Sequence, residues 1–149
     1  MVIILSGSPS DRDHVAAITA ALDSFGIRWE AHIASAHKTP RVLLDLLARY
    51  EADPAPKVYI TVAGRSNALS GMADAQVTAP VIACPPVSTA FGGADIFSSL
   101  RMPSGVAPLV VLEPLNAALA AAKILSLSDP ALREQVAAFQ QSQRDRLTA

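Results

Sequence analysis

The sequence predicts a doubly wound α/β fold, a parallel sheet covered by helices on both faces. Short continuous apolar runs at residues 2–5, 29–34, 57–62, 81–83 and 109–112 have the length and content of strands buried on both sides. Between them lie longer stretches with apolar residues at three- and four-residue steps, the rhythm of helices that return the chain to a parallel sheet. A chain of 149 residues with 51% apolar content is enough for one domain, residues 1–149, with a substantial core. Five such strand–helix units match a flavodoxin-like three-layer α/β/α sandwich around a central parallel sheet. In that architecture ligands bind at the carboxyl ends of the strands, near a topological switch.

Each element follows from local residues. Val15, Ile18, Leu22 and Phe25 form one stripe of a helix that Gly26 ends. Thr39 is placed to cap the next helix and Pro40 suits its first turn, while Val42, Leu43, Leu46, Leu47 and Tyr50 make its apolar face. Asp53-Pro54-Ala55-Pro56 breaks it. Residues 66–76 and 92–100 read as weaker helices, and 114–126 and 130–145 as stronger ones, the last capped around Ser128-Asp129. That last helix has little sheet left to cover, so it is expected on the domain edge or on a neighbouring subunit.

Composition narrows the function. The formal net charge is −1 and Lys and Arg form no basic run, so the electrostatic footprint of a nucleic-acid binder is missing. Charged residues make up 17%, against about 25% in an average soluble protein. With a mean hydropathy of +0.34, this predicts a homo-oligomer that buries small apolar faces. The single Cys84 excludes an internal disulfide and a cysteine-cluster metal site. No segment is long and apolar enough to span a membrane, and the first residues lack the basic and apolar regions of a secretory signal. A cytoplasmic location is expected.

The chemistry-bearing residues fall in the loops after the strands. Gly7, Ser8, Ser10 and Asp11 form a small-residue loop that feeds a helix start, where amides, hydroxyls and the helix dipole can hold a phosphate. Ser10 or Asp11 serves equally well as a simple helix cap. After the second strand come Ser35, Ala36, His37 and Lys38: an imidazole that moves protons near neutrality beside an ammonium that pairs with an anion. After the third come Ala63, Gly64, Arg65, Ser66 and Asn67, with a glycine for close backbone approach and donors at the next helix start. His14, His32 and Cys84 read as structural residues, and the isomers of Pro85 and Pro86 are left open. Residues 98–105 are a polar, turn-forming segment, either a closing loop or an ordinary crossover. No metal-hydrolase or nucleophile-elbow motif is present.

In this order and spacing, Ser6-Gly7-Ser8, Ser35-Ala36-His37, Ala63-Gly64, Met102-Pro103-Ser104-Gly105 and Asn116-Ala117-Ala118 resemble the phosphoribosylaminoimidazole carboxylase (PurE) family of purine biosynthesis. The resemblance covers nearly the whole chain. One class of that family isomerises N-carboxyaminoimidazole ribonucleotide, and the other joins carbon dioxide directly to 5-aminoimidazole ribonucleotide to give its 4-carboxy form. The mutase class typically has Ala-Gly-Gly-Ala-Ala-His-Leu-Pro-Gly-Met in the third loop and Arg after the catalytic His. Here Ala68 stands in place of that His and Lys38 follows His37, which is similar to the direct carboxylases of animals and some bacteria.

The resemblance therefore implies a lyase of the second class. His37 is the catalytic residue; Gly7, Ser8, Ser10, Asp11, Ser35, Ala36, Lys38, Ala63, Gly64, Arg65, Ser66, Leu69 and Met72 bind substrate. It implies carbon dioxide as co-substrate, no biotin, metal or ATP, and a homo-oligomer, with an octamer favoured over a tetramer or dimer. Ala36, Ala68, Met72 and Pro85-Pro86 are expected to line a dry niche for carbon dioxide. The alternatives are the mutase activity and, more remotely, a non-catalytic flavodoxin-like nucleotide-binding module. A receiver module would need acidic residues after the first strand, where Ser6-Gly7-Ser8 stands.

Overall fold

The computed structural model describes residues 1–148. Five strands, β1 (Val2–Ser6), β2 (Trp29–Ile33), β3 (Val58–Val62), β4 (Val81–Ala83) and β5 (Leu109–Val110), pair in the order β2-β1-β3-β4-β5, all parallel. This is the flavodoxin-like order, and its switch point lies between β1 and β3. β1 and β3 are buried along their whole length, which explains sequences that are apolar apart from Ser6 and Thr61.

The pleat divides the core. Val2, Ile4, Val58, Ile60 and Ile82 face α1 (Arg12–Ser24) and α5 (Pro114–Leu125), meeting Ile18 and Leu22 from the first helix and Ala117, Ala118, Ala121 and Ala122 from the second. Those alanines let α5 lie close to the sheet and to α1. Ile3, Leu5 and Tyr59 face α2 (Pro40–Glu51) and α3 (Leu69–Asp74), against Leu43, Leu47, Leu69 and Ala73. A large apolar side chain buried in this way contributes about 1.5–3 kcal/mol. The ion pairs among the described residues, Glu30 with His32 and with Arg49, are partly exposed and worth about 0–1 kcal/mol. The two apolar layers therefore carry the fold.

α6 (Pro130–Thr148) packs its first half on the α1–α5 layer through Leu132 and Val136, with Phe139 edge-on to Phe25 at 5.3 Å. Asp129 caps it, its carboxylate accepting from the Leu132 amide at 3.0 Å. Gly26 ends α1 at φ +61, as its sequence position predicts.

The structure departs from the sequence expectation in several places. Thr39 precedes α2 but does not cap it with its side chain, because the hydroxyl turns back to Ser35. The helix expected over 66–76 is only Leu69–Asp74. Over 92–100 there is no continuous helix: Phe91, Gly92 and Gly93 take positive φ within a 3₁₀ stretch (Ala90–Ile96), and only α4 (Phe97–Leu100) is α-helical. Two adjacent glycines without side-chain restraint favour that break. β5 is two residues long because Pro114 begins α5 soon after. Among the described residues every peptide bond is trans, Pro85 and Pro86 included.

Candidate active site

The carboxyl ends of β2, β1 and β3 stand side by side, so the three loops predicted to bind a ligand share one edge. Gly7 N–H donates to Val62 O and Ala34 N–H to Ser6 O, both at 2.9 Å, which locks the first loop between its neighbours. Ser8 ends the extended backbone and caps a 3₁₀ turn (Pro9–Asp11) that precedes α1. Its Oγ accepts from the Ser10 amide at 3.2 Å and from Ser10 Oγ at 2.8 Å, which leaves the Ser8 hydroxyl proton for a ligand. The amides of Gly7, Ser10, Asp11 and Arg12 are already paired within the chain. Hydroxyls, more than the expected cradle of free amides, are what this loop offers to an anion.

His37 and Lys38 are exposed at the apex of a turn held from both sides. Ser35 N–H donates to Thr39 Oγ1 at 2.9 Å, Thr39 N–H donates to Ser35 O at 2.8 Å, and Ser35 Oγ accepts from the Lys38 amide at 3.2 Å. Ser35 and Thr39 thus fix the backbone and leave the imidazole and ammonium without protein partners among the described residues. Ala36 packs inward on the α2 side of the core.

The other two histidines are engaged. His14 Nε2 lies 3.3 Å from Cys84 Sγ, and His32 Nε2 lies 2.6 Å from the Tyr50 hydroxyl, which also donates to Glu30 at 2.5 Å and accepts from Arg49. Burial lowers the pKa of both, and in His14 the Cys84 backbone, Asp11 and Glu113 oppose the shift. Burial and Glu113 push the Cys84 thiol up to about 12, so it is inert, as expected of a small buried residue. Asp11 is raised by partial burial, against the Ser8 backbone and the charges of His14 and Arg65, which places these groups near one another.

A neutral His14 has a stability consequence. Its folded pKa lies below the ordinary value of 6.5, so the unfolded chain binds the extra proton first and stability falls as pH drops through 6.5 and below. His14→Gln is expected to flatten the fall in Tm between pH 7 and 5.5. An unchanged slope in thermal melts would refute it.

The loop after β3 adopts a conformation that sequence reading missed. Arg65 has φ 59, a left-handed geometry that costs a non-glycine residue about 1–3 kcal/mol and needs outside support. That support comes from residues thirty positions further on: Arg65 N–H donates to Asp95 Oδ2 at 3.2 Å, and Ser98 Oγ lies 3.1 Å from Arg65 O. Asn67, expected as a free donor, is buried instead. Its amide nitrogen donates to Ser70 Oγ and Ser99 Oγ, both at 2.8 Å, and Ser70 Oγ meets Thr61 Oγ1 on β3 at 2.7 Å. Arg65, Ser66 and Ala68 remain exposed, whereas Ala63 is buried. Leu69 is only 2% exposed and lies in the core beneath the loop; Met72 packs on the same core.

A largely apolar cavity of about 210 Å³ opens beside this loop, lined by Gly64, Pro85, Pro86, Val87, Ser88, Gly93, Asp95, Ile96 and Leu112. It includes the proline pair of the expected niche but not Ala36, Ala68 or Met72. No cluster of three His, Cys, Asp or Glu side chains able to hold a metal lies among the described residues, and no helix among them is long and apolar enough to cross a membrane.

A doubly wound sheet with serine hydroxyls, an exposed imidazole and two cations along its carboxyl edge defines a flavodoxin-like α/β protein with a candidate ligand site. The chain belongs to the AIR carboxylase family, whose model matches residues 1–146. It is 56% identical over 142 residues to the phosphoribosylaminoimidazole carboxylase of Archaeoglobus fulgidus, covering 95% of this chain and 78% of that one. It is 52% identical over 147 residues to that of Treponema denticola, covering 99% and 92%. The crystal structure of Treponema denticola PurE superposes with a TM-score of 0.97, covering 99% of this chain and 93% of that chain at 52% identity. A human bifunctional phosphoribosylaminoimidazole carboxylase/phosphoribosylaminoimidazole succinocarboxamide synthetase is 44% identical over 128 residues, 86% of this chain and 30% of that protein.

Proposed function

We propose that this chain, acting as one catalytic domain, joins carbon dioxide directly to C4 of 5-aminoimidazole ribonucleotide and catalyses the reverse decarboxylation. The observation that carries the choice of direct carboxylation is the pair at positions 38 and 68. Lys38 follows the exposed His37, and an exposed alanine, not an imidazole, stands at position 68. With His14 and His32 tied to Cys84 and Tyr50, His37 is the histidine without a protein partner among the described residues and so is open to exchange protons with a ligand.

The amino group of the substrate makes C4 a carbon nucleophile. Its electron pair attacks the carbon of carbon dioxide, one C=O π bond becomes the new carboxylate, and C4 becomes tetrahedral while it still holds its proton. Neutral His37 removes that proton, and the C–H pair restores the aromatic ring. Ser8, Ser10 and Lys38 hold the phosphate. Asp11 suits the ribose hydroxyls, since a carboxylate repels a dianion, and Arg65 with Ser66 forms the opposite wall or meets the new carboxylate. Carbon dioxide is neutral and apolar, so the cavity against Pro85 and Pro86 suits it better than a charged clamp.

The reaction needs no biotin, metal or ATP from this domain, and we place it in the cytoplasm. Assembly into a homo-oligomer, an octamer by preference, is supported by exposed apolar residues from the β4–β5 crossover to the start of α5: Val87, Phe91, Phe97, Leu100, Leu109, Leu112 and Leu115 are all exposed, Phe91 to 85%.

Incubation with aminoimidazole ribonucleotide in the absence of ATP tests the reaction. The 4-carboxylated product is expected to form at a rate that rises with dissolved carbon dioxide. Turnover of the N-carboxylated nucleotide with no dependence on carbon dioxide would establish the mutase instead, and no reaction would overturn both.

A further inference from the structure

The segment that crosses from β4 to β5 reaches back to the loop after β3 with an unusual density of polar contacts. Asp95 takes the Arg65 amide. The Ser98 hydroxyl accepts from the Asn67 amide at 2.9 Å and has its proton within reach of two carbonyls, Asp95 O at 2.8 Å and Arg65 O at 3.1 Å. Ser99, 2% exposed, anchors this segment to the buried Asn67, whose carbonyl oxygen accepts from the Ser70 amide at 3.1 Å. Every buried polar side chain among the described residues finds a partner, so the network is complete and rigid. It grips both the N–H and the C=O of Arg65, a non-glycine residue in a left-handed conformation.

We propose that Asp95 and Ser98 are positioning residues for the nucleotide, acting by holding Arg65 in its left-handed conformation so that the guanidinium is aimed over the strand ends. Without the two contacts Arg65 would relax to negative φ, and its side chain would leave by a different direction. Neither residue needs to touch the nucleotide; Asp95 also lines the cavity assigned to carbon dioxide, so Ser98→Ala is the cleaner of the two variants. The inference rests on the assignment of Arg65 to the substrate wall, and the experiment separates the two.

Ser98→Ala and Asp95→Asn each remove or weaken one anchor and keep the shape of the segment, so one remains informative if the other folds poorly. Each is expected to raise KM for the nucleotide about 3- to 10-fold, the range for one lost hydrogen bond, with kcat within about twofold. Arg65→Ala raises KM about 10- to 150-fold, as for a lost charged contact. The double variant Arg65→Ala/Ser98→Ala matches Arg65→Ala alone, because Ser98 has nothing left to aim. If the two effects multiply, or if Ser98→Ala lowers kcat with the folded fraction at unchanged KM, the positioning role is wrong while Arg65 keeps its contact. If Arg65→Ala itself changes nothing, the contact is wrong and the positioning role falls with it.

Discussion

His37→Asn is expected to lower kcat by about 10²–10⁴-fold, the usual share of a general acid–base residue, and to leave nucleotide affinity within a few-fold of the parent. Asparagine keeps a polar side chain of similar reach but cannot take a proton near neutrality. The fold is indifferent to the change: His37 is exposed, and its turn is fixed by Ser35 and Thr39 through backbone and hydroxyl groups that the substitution spares. A surface substitution of that kind moves stability by about 0.5 kcal/mol or less. Because the overall equilibrium is untouched, carboxylation and decarboxylation must lose the same factor in kcat/KM. Their pH limbs must also point in opposite directions, since the forward step needs neutral imidazole and the reverse step needs imidazolium. Near-normal turnover, or pH limbs that point the same way in both directions, would remove His37 from the chemistry.

The sequence made the sheet legible where the physics is local. β1 and β3 lie between helices on both faces, so every position but Ser6 and Thr61 is apolar or aromatic, and the runs at 2–5 and 57–62 could hardly be anything else. The helix stops at Gly26 and the start at Pro40 follow from backbone preferences of one residue. From parallel strands it follows that their carboxyl-end loops converge, and the loops bearing Ser8, His37 and Arg65 do share an edge. Their roles as ligands are a separate matter, for the variants above and below to decide.

What was hidden is non-local. The break at Phe91–Gly93 follows from three successive left-handed residues, which no periodicity reveals. The clamp on Arg65 joins residues 30 to 33 positions apart in sequence, and Asp95, Ser98 and Asn67 each resemble ordinary turn or cap residues when read alone. Leu69, expected at the substrate from its place in a family motif, is almost wholly buried at the start of α3. An apolar residue inside a binding motif is as readily its floor as its wall.

Lys38→Ala carries the second large effect, a loss of nucleotide affinity of about 10- to 150-fold, the span of a charged hydrogen bond. The backbone contact from the Lys38 amide to Ser35 Oγ survives in alanine, so the turn that presents His37 stays intact and the loss belongs to the ammonium alone. Lys38→Arg should recover most of the affinity, since charge is kept and only the geometry of the donors changes. The identity of the anion then follows from a second ligand. With the nucleoside that lacks the phosphate, the penalty for Lys38→Ala should vanish if the ammonium pairs with phosphate, and persist for the 4-carboxylated form if it pairs with the new carboxylate. The parent protein should also bind more weakly as salt rises, and Lys38→Ala should show a shallower dependence. Unchanged affinity and an unchanged salt slope in titration calorimetry would exclude Lys38 from anion binding, and with it one of the two residues that favour direct carboxylation over the mutase reaction.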